Sequence, residues 1–121
     1  MIGSDGMPHD QVPHPRLWGT FPRVLGHYAR DRGLFPLEDA IHRMTGLTAE
    51  KFGLAGRGAV AVGAYADLVM FDPQTIIDRA TFDDPTAPAD GIRAVYVNGE
   101  VVFDGNLVTS ARPGRVLRHA R

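Results

Sequence analysis

The sequence contains no cysteine, so it can build neither a disulfide framework nor a thiolate metal site. Lys51 is its single lysine; the other basic residues are arginines scattered along the chain, and the formal net charge is -1. Such a balance offers no field for nucleic acid or for an acidic membrane, and the arginines read as a solvated surface. No apolar run approaches the ~20 residues that span a bilayer, and the N-terminus lacks the basic-then-apolar order of a signal peptide. No internal repeat is present, and no His-x-His pair occurs. These absences point to a soluble, cytoplasmic protein with no nucleic-acid or membrane partner.

What is present suits a globular chain. Its 121 residues are 44% hydrophobic and 22% charged, enough for one domain with a modest core. Residues 1–19 are rich in Gly, Pro and His and read as a loop too broken for a regular element. Thr20 is placed to cap a helix starting near Phe21, with Pro22 in the first turn, where its missing N–H costs nothing. Phe21, Val24, Leu25 and Tyr28 then form one apolar stripe, and Gly33 ends it. A second helix opens at Pro36, with Leu37, Ala40, Ile41 and Met44 on one face and Glu38 and Asp39 in the dipole-favoured first turn. Thr48 is placed to cap a short third helix that stops at Gly53.

Beyond Gly53 the pattern changes. Gly56, Gly58 and Gly63 punctuate a connector, and residues 66–73 read as a strand stopped by Pro73. Pro85 and Pro88 mark a loop over 83–90. Residues 92–97 and 100–103 flank Asn98-Gly99, the strongest short hairpin signal. Asp104-Gly105 makes a further turn, Leu107-Val108 begin one more short strand, and the arginine-rich end from 112 to 121 is a tail or a docking strand. Helices first and antiparallel strands after indicate an α+β chain, or two units of a larger fold.

The residues able to do chemistry cluster near the N-terminus. Asp5, between Ser4 and Gly6, reads as a general base at the mouth of a site or as a turn aspartate bonding its own backbone. His9 and His14 are separated by a proline-stiffened stretch; they line a pocket or lie on a solvated surface. Their spacing, with no third ligand nearby, makes no convincing metal site, and His27, His42 and His119 stand alone. Arg16, presented after Pro15, suits bidentate recognition of a carboxylate or forms a surface ion pair. Trp18 and Phe21 wall a pocket or belong to the core. Asp72-Pro73 reads as a strand terminator and Asn98-Gly99 as structural.

Taken together, Gly3-Ser4-Asp5-Gly6, the run from His14-Pro15-Arg16 to Val24-Leu25-Gly26, Met44-Thr45-Gly46, Phe52-Gly53-Leu54, Ala66-Asp67-Leu68-Val69, Phe71-Asp72-Pro73, residues 78–82 and Val97-Asn98-Gly99 resemble the C-terminal portion of the N-acyl-D-amino-acid deacylases. Those enzymes, the D-aminoacylases, belong to the amidohydrolase superfamily. The Ala-Asp-Leu-Val and Val-Asn-Gly elements are widespread among amidohydrolases; the His-Pro-Arg run is the one particular to this branch.

The resemblance implies a zinc-dependent hydrolase of N-acyl-D-amino acids, built on a (β/α)8 barrel with a small β-sandwich domain. Residues 1–55 would end the barrel, contributing its catalytic loop and helices, and 56–121 would supply C-terminal strands of the β-domain. Asp5 would match the carboxylate that activates the metal-bound water and passes its proton to the leaving amine, with Arg16, His14 and Ser4 near the substrate. A barrel of this kind needs roughly 250 residues, so upstream barrel residues, with the family's His-x-His, would be required, and this chain would be inactive alone. That Asp5 lies so near the first residue also suggests the C-terminal part of something larger. The competing readings are a non-catalytic or degenerate module that docks on a partner chain, and a related hydrolase of cyclic amides.

Overall fold

A computed structural model describes residues 1–7 and 9–118; His119 lies outside the described residues. The chain forms helices α1 (Arg16–Arg23), α2 (Leu37–Met44) and α3 (Gly46–Lys51), then strands β1 (Leu68–Phe71), β2 (Ile92–Val97) and β3 (Glu100–Phe103). The α+β order expected from the sequence is present as helices followed by a three-stranded antiparallel sheet in the order β1-β2-β3.

The first helix begins earlier than its capping residues suggest. It starts at Arg16 rather than near Phe21, and Thr20 is an interior residue whose hydroxyl donates to the Arg16 carbonyl at 2.8 Å. Pro22 likewise lies inside α1, not in its first turn. An interior proline cannot donate to the carbonyl four residues back. Past it the backbone widens into a π-helical segment, Val24–Asp31, in which the Arg32 N–H reaches the His27 carbonyl. Gly33, at φ 59°, turns the chain out, as expected. Of the expected stripe, Val24 and Leu25 are buried, whereas Phe21 and Tyr28 are exposed.

The second helix follows the sequence reading, with Pro36 before Leu37 and Ala40 fully buried. The third begins after Thr45, whose hydroxyl donates back to the Ile41 carbonyl and does not cap it, and Thr48 is interior, donating from its hydroxyl to the Arg43 carbonyl. Gly53, at φ 63°, ends it.

The hairpin also follows its sequence. Asn98 (φ 47°) and Gly99 (φ 85°) both take positive φ, the two-residue turn whose twist matches the flanking strands. β1 is shorter than the 66–73 expectation, and Leu107-Val108 forms only a single bridge, Val108 with Phe103, not a strand. Asp104 Oδ1 accepts the N–H groups of Asn106 and Leu107, which hold that carboxyl below its ordinary range and close the turn.

The core crosses from helices to strands. Val24, Leu25, Ala29, Ala40 and Ile76 form one buried cluster, flanked by Ile2, Phe35, Leu37, Ile41, Met44, Phe71 and Ile92. Ile76, 0% exposed, is its joint. The helix meets the Ile76 backbone at Gly26, where a side-chain carbon would overlap the Ile76 carbonyl oxygen. On the other side Gly91, at φ 82°, leaves only 2.6 Å between its missing Cβ and the Ile76 amide nitrogen. Arg30 Nη1 then donates to the Ile76 carbonyl at 2.8 Å. Two glycines and one arginine thus lock the segment after β1 onto the helices.

Candidate active site around Asp5

The N-terminal segment is anchored before it reaches its acidic residue: the Ile2 N–H donates to the Arg43 carbonyl at the end of α2, 3.1 Å away. Ser4 Oγ accepts the Gly6 N–H, tightening the turn in which Asp5 takes φ 52°. Gly6 is packed against Leu17, whose Cα would lie 2.8 Å from any Cβ there, so the turn rests on the start of α1. A non-glycine residue at positive φ marks strain that the surroundings must hold. Here the Ser4–Gly6 bond and the packing of Gly6 on Leu17 brace the turn, and an ion pair, Arg16 Nη2 to Asp5 Oδ2 at 3.0 Å, is added to them.

The Asp5 side chain is 86% exposed and that of Arg16 42%. The pair is therefore screened and weak, in the range of about 0–1 kcal/mol for surface bridges. The Asp5 carboxylate pairs with Arg16, and the side-chain bond that closes the local turn belongs to Ser4.

His14 sits at the helix entry. Its Nδ1 accepts the Arg16 N–H at 3.0 Å, and its carbonyl accepts the Leu17 N–H. The Pro15 carbonyl takes the N–H groups of Trp18 and Gly19. Pro15 has no N–H to satisfy, the Gly19 bond is the first regular helical one, and the three remaining donors, Arg16, Leu17 and Trp18, are all paired, which is why α1 starts here without a Ser, Thr, Asp or Asn cap. Arg16, His14, Ser4 and Asp5 thus lie along one short, cross-linked stretch. His9 is exposed and joins none of these bonds. Trp18 and Phe21 are both exposed, on α1, rather than in the core.

The sequence reading missed the support that arrives from the strand half. Asp78, its side chain only 11% exposed, pairs with Arg23 at 3.1 Å and packs its Cβ beneath Gly19. Phe82 meets the His14 ring edge-to-face, centroids 5.0 Å apart. One loop, 78–82, therefore touches α1 at its entry, middle and end. Also missed was Arg57, whose guanidinium pairs with Asp67, donates to Asn98 Oδ1 and lies 4.2 Å over the Tyr65 ring. Asn98 in turn donates to the Pro113 carbonyl, so the hairpin turn is structural, as expected, and ties down the tail. Asp72 accepts the Gln74 N–H and pairs with Arg93, contacts that hold its carboxyl below the ordinary range and end β1.

The residues here do not fit a metal. Among the described residues no group of three or more His, Cys, Asp or Glu side chains is placed to hold an ion. Asp5 is turned to Arg16, and the His14 Nδ1 lone pair is occupied by an N–H.

This chain belongs to the amidohydrolase family, whose model matches residues 1–103. It is 66% identical over 117 residues to a D-aminoacylase of Alcaligenes xylosoxydans xylosoxydans, covering 97% of this chain and 24% of that one. A solved D-aminoacylase, studied for the functional role of its binuclear metal center, superposes with a TM-score of 0.94 at 66% identity over 96% of this chain and 24% of that structure. An N-acyl-D-glutamate deacylase from Bordetella bronchiseptica, solved with zinc and a phosphonate mimic of the tetrahedral intermediate, gives a TM-score of 0.89 at 54% identity, covering 98% of this chain and 25% of that one. The chain thus spans about a quarter of the length of the relatives it matches, and those relatives include metal-dependent deacylases.

Proposed function

We propose that the chain is the C-terminal segment of a zinc-dependent N-acyl-D-amino-acid deacylase, which hydrolyses the amide to a carboxylate and a free D-amino acid. Residues 1–55 end its (β/α)8 barrel, and 56–121 form the C-terminal strands of its small β-sandwich domain. The observation that carries this reading is the 66% identity to a D-aminoacylase sustained over 97% of the chain. Zinc, in this reading, is held by residues outside this chain.

What Asp5, Arg16, His14 and Ser4 do follows from their chemistry. An exposed carboxylate on a strained, glycine-flanked turn can take a proton from an attacking water and return it to the departing amine nitrogen. Arg16, presented by the first turn of α1, can offer two N–H groups to the substrate carboxylate. Because its pairing with Asp5 is solvent-exposed, a second carboxylate can replace it at little cost. The Ser4 hydroxyl, already accepting from Gly6, keeps its own proton to donate. The exposed β1 residues Leu68, Val69 and Met70, with Trp18 and Phe21 on α1, support the need for upstream barrel residues as packing partners. A cytoplasmic setting goes with this proposal.

The in-frame coding sequence upstream of Met1 tests it. An open frame encoding a His-x-His and further barrel units supports the reading. A stop codon just upstream contradicts it and leaves a docking module as the better account.

A further inference from the structure

We propose that His14 acts as a neutral hydrogen-bond donor through Nε2–H, with its tautomer set by the Arg16 N–H and its ring plane set by Phe82. This inference rests on the deacylase reading for the identity of the acceptor, an oxygen of the bound N-acyl-D-amino acid, but not for the state of the imidazole.

The argument starts from the helix entry. A backbone N–H can only donate, so the nitrogen it points at must carry a lone pair. Arg16 N lies 3.0 Å from His14 Nδ1. The proton of the neutral ring therefore resides on Nε2, and both the Nδ1–H tautomer and the doubly protonated ring would break the bond. Losing it would hand the first N–H of α1 back to solvent, because Pro15, the residue before the helix, has no side-chain acceptor to offer. The helix start and the tautomer are thus one choice.

The ring plane has a second determinant. Phe82 presents itself edge-to-face at 5.0 Å and 78°, a preferred aromatic geometry. Phe82 is 79% exposed, and what holds it is the backbone of its loop: the Thr81 N–H donates to the Asp84 carbonyl, and the Asp84 N–H to Thr81 Oγ1, each at 3.0 Å. Proline on either side of His14 limits how far the backbone can swing. Among the described residues Nε2 has no hydrogen-bond partner, and the residue is exposed, so its N–H is available. A ring in this state donates; it does not take a proton from water. That separates its role from that of Asp5, which has no proton to give until it has accepted one, and it places a donor two residues from the arginine proposed to hold the substrate carboxylate.

Phe82 is accordingly a positioning residue, reached only through the fold. The test is imidazole nitrogen NMR at about pH 8, above the ordinary histidine pKa, on the 15N-labelled chain, taken alone where its amide signals are well dispersed and otherwise joined to its upstream barrel residues, with exposed His9 as internal reference. The expected spectrum shows His14 Nδ1 unprotonated and Nε2 protonated, while His9 shows averaged shifts. Averaged shifts at His14, or a protonated Nδ1, would overturn the proposal. Phe82→Ala should move His14 toward the His9 pattern and Phe82→Tyr should not; an unchanged His14 in Phe82→Ala removes the positioning role. The readout is a nitrogen shift, not turnover, so failure of the deacylase reading would leave this result standing, and the reverse.

Discussion

The Ile76 joint and the Asp5 turn are built on opposite principles. At the joint, backbone lies against backbone: Gly26 and Gly91 bracket Ile76 with no room for a side-chain carbon. At the turn, an exposed carboxylate is held by an exposed arginine, with no burial to enforce the pair. Packed interiors change by steps and tolerate little, whereas surface ion pairs exchange partners readily. The chain is therefore fixed where its helices meet its strands and exchangeable where its charged groups would meet a substrate. The loop 78–82 joins the two regimes, since it leaves the Ile76 segment and ends against His14.

Substitutions at the joint and at the turn should separate accordingly. Ile76→Ala removes a fully buried side chain and should cost about 2–5 kcal/mol, read as a lower urea midpoint. Gly26→Ala tests the close approach itself. Overpacking of about 3 kcal/mol outweighs the roughly 1 kcal/mol of helix propensity that alanine returns, leaving a net loss of about 2 kcal/mol. A stabilised Gly26→Ala protein would show that the helix does not rest on the Ile76 backbone. Asp67→Ala leaves Arg57, whose side chain is only 10% exposed, without its carboxylate partner and should cost about 1–3 kcal/mol.

Acid should act on the strand side more gently. Asp72 and Asp104 both have carboxyls held below their ordinary value of 3.8, chiefly by backbone N–H groups. A depressed folded-state value means stability that is present above the unfolded value and lost as pH falls through the folded one. The unfolding midpoint should therefore drop as pH is lowered below about 4, and Asp104→Asn should flatten that dependence. At the small end, Arg16→Ala should change stability by no more than about 0.5 kcal/mol. A larger loss would mean the Asp5 turn is part of the packed structure after all.

What the sequence reveals and conceals follows the same division. The hairpin is legible because Asn98-Gly99 sits between strand-like runs, and local turn chemistry is enough to specify it. α2 is legible because its face and its acidic first turn agree. The start of α1 is not, since Thr20 and Pro22 imitate a helix beginning, while the working cap is a histidine nitrogen flanked by prolines. The candidate site is legible as a stretch, because Ser4, Asp5, His14 and Arg16 are near in sequence. Its supports, Asp78 and Phe82, lie more than fifty residues on, and no periodicity announces them. Gly26 and Gly91 are likewise unremarkable in sequence, because what makes them necessary is the distant Ile76 backbone.

The role of Asp5 is tested most directly by grafting this chain in place of the matching quarter of the 66%-identical D-aminoacylase and measuring hydrolysis of an N-acyl-D-amino acid. The account predicts an active graft whose kcat falls at least about a hundredfold in Asp5→Asn, the scale of losing a general acid–base group. An active graft that keeps its full rate with Asp5→Asn would contradict it.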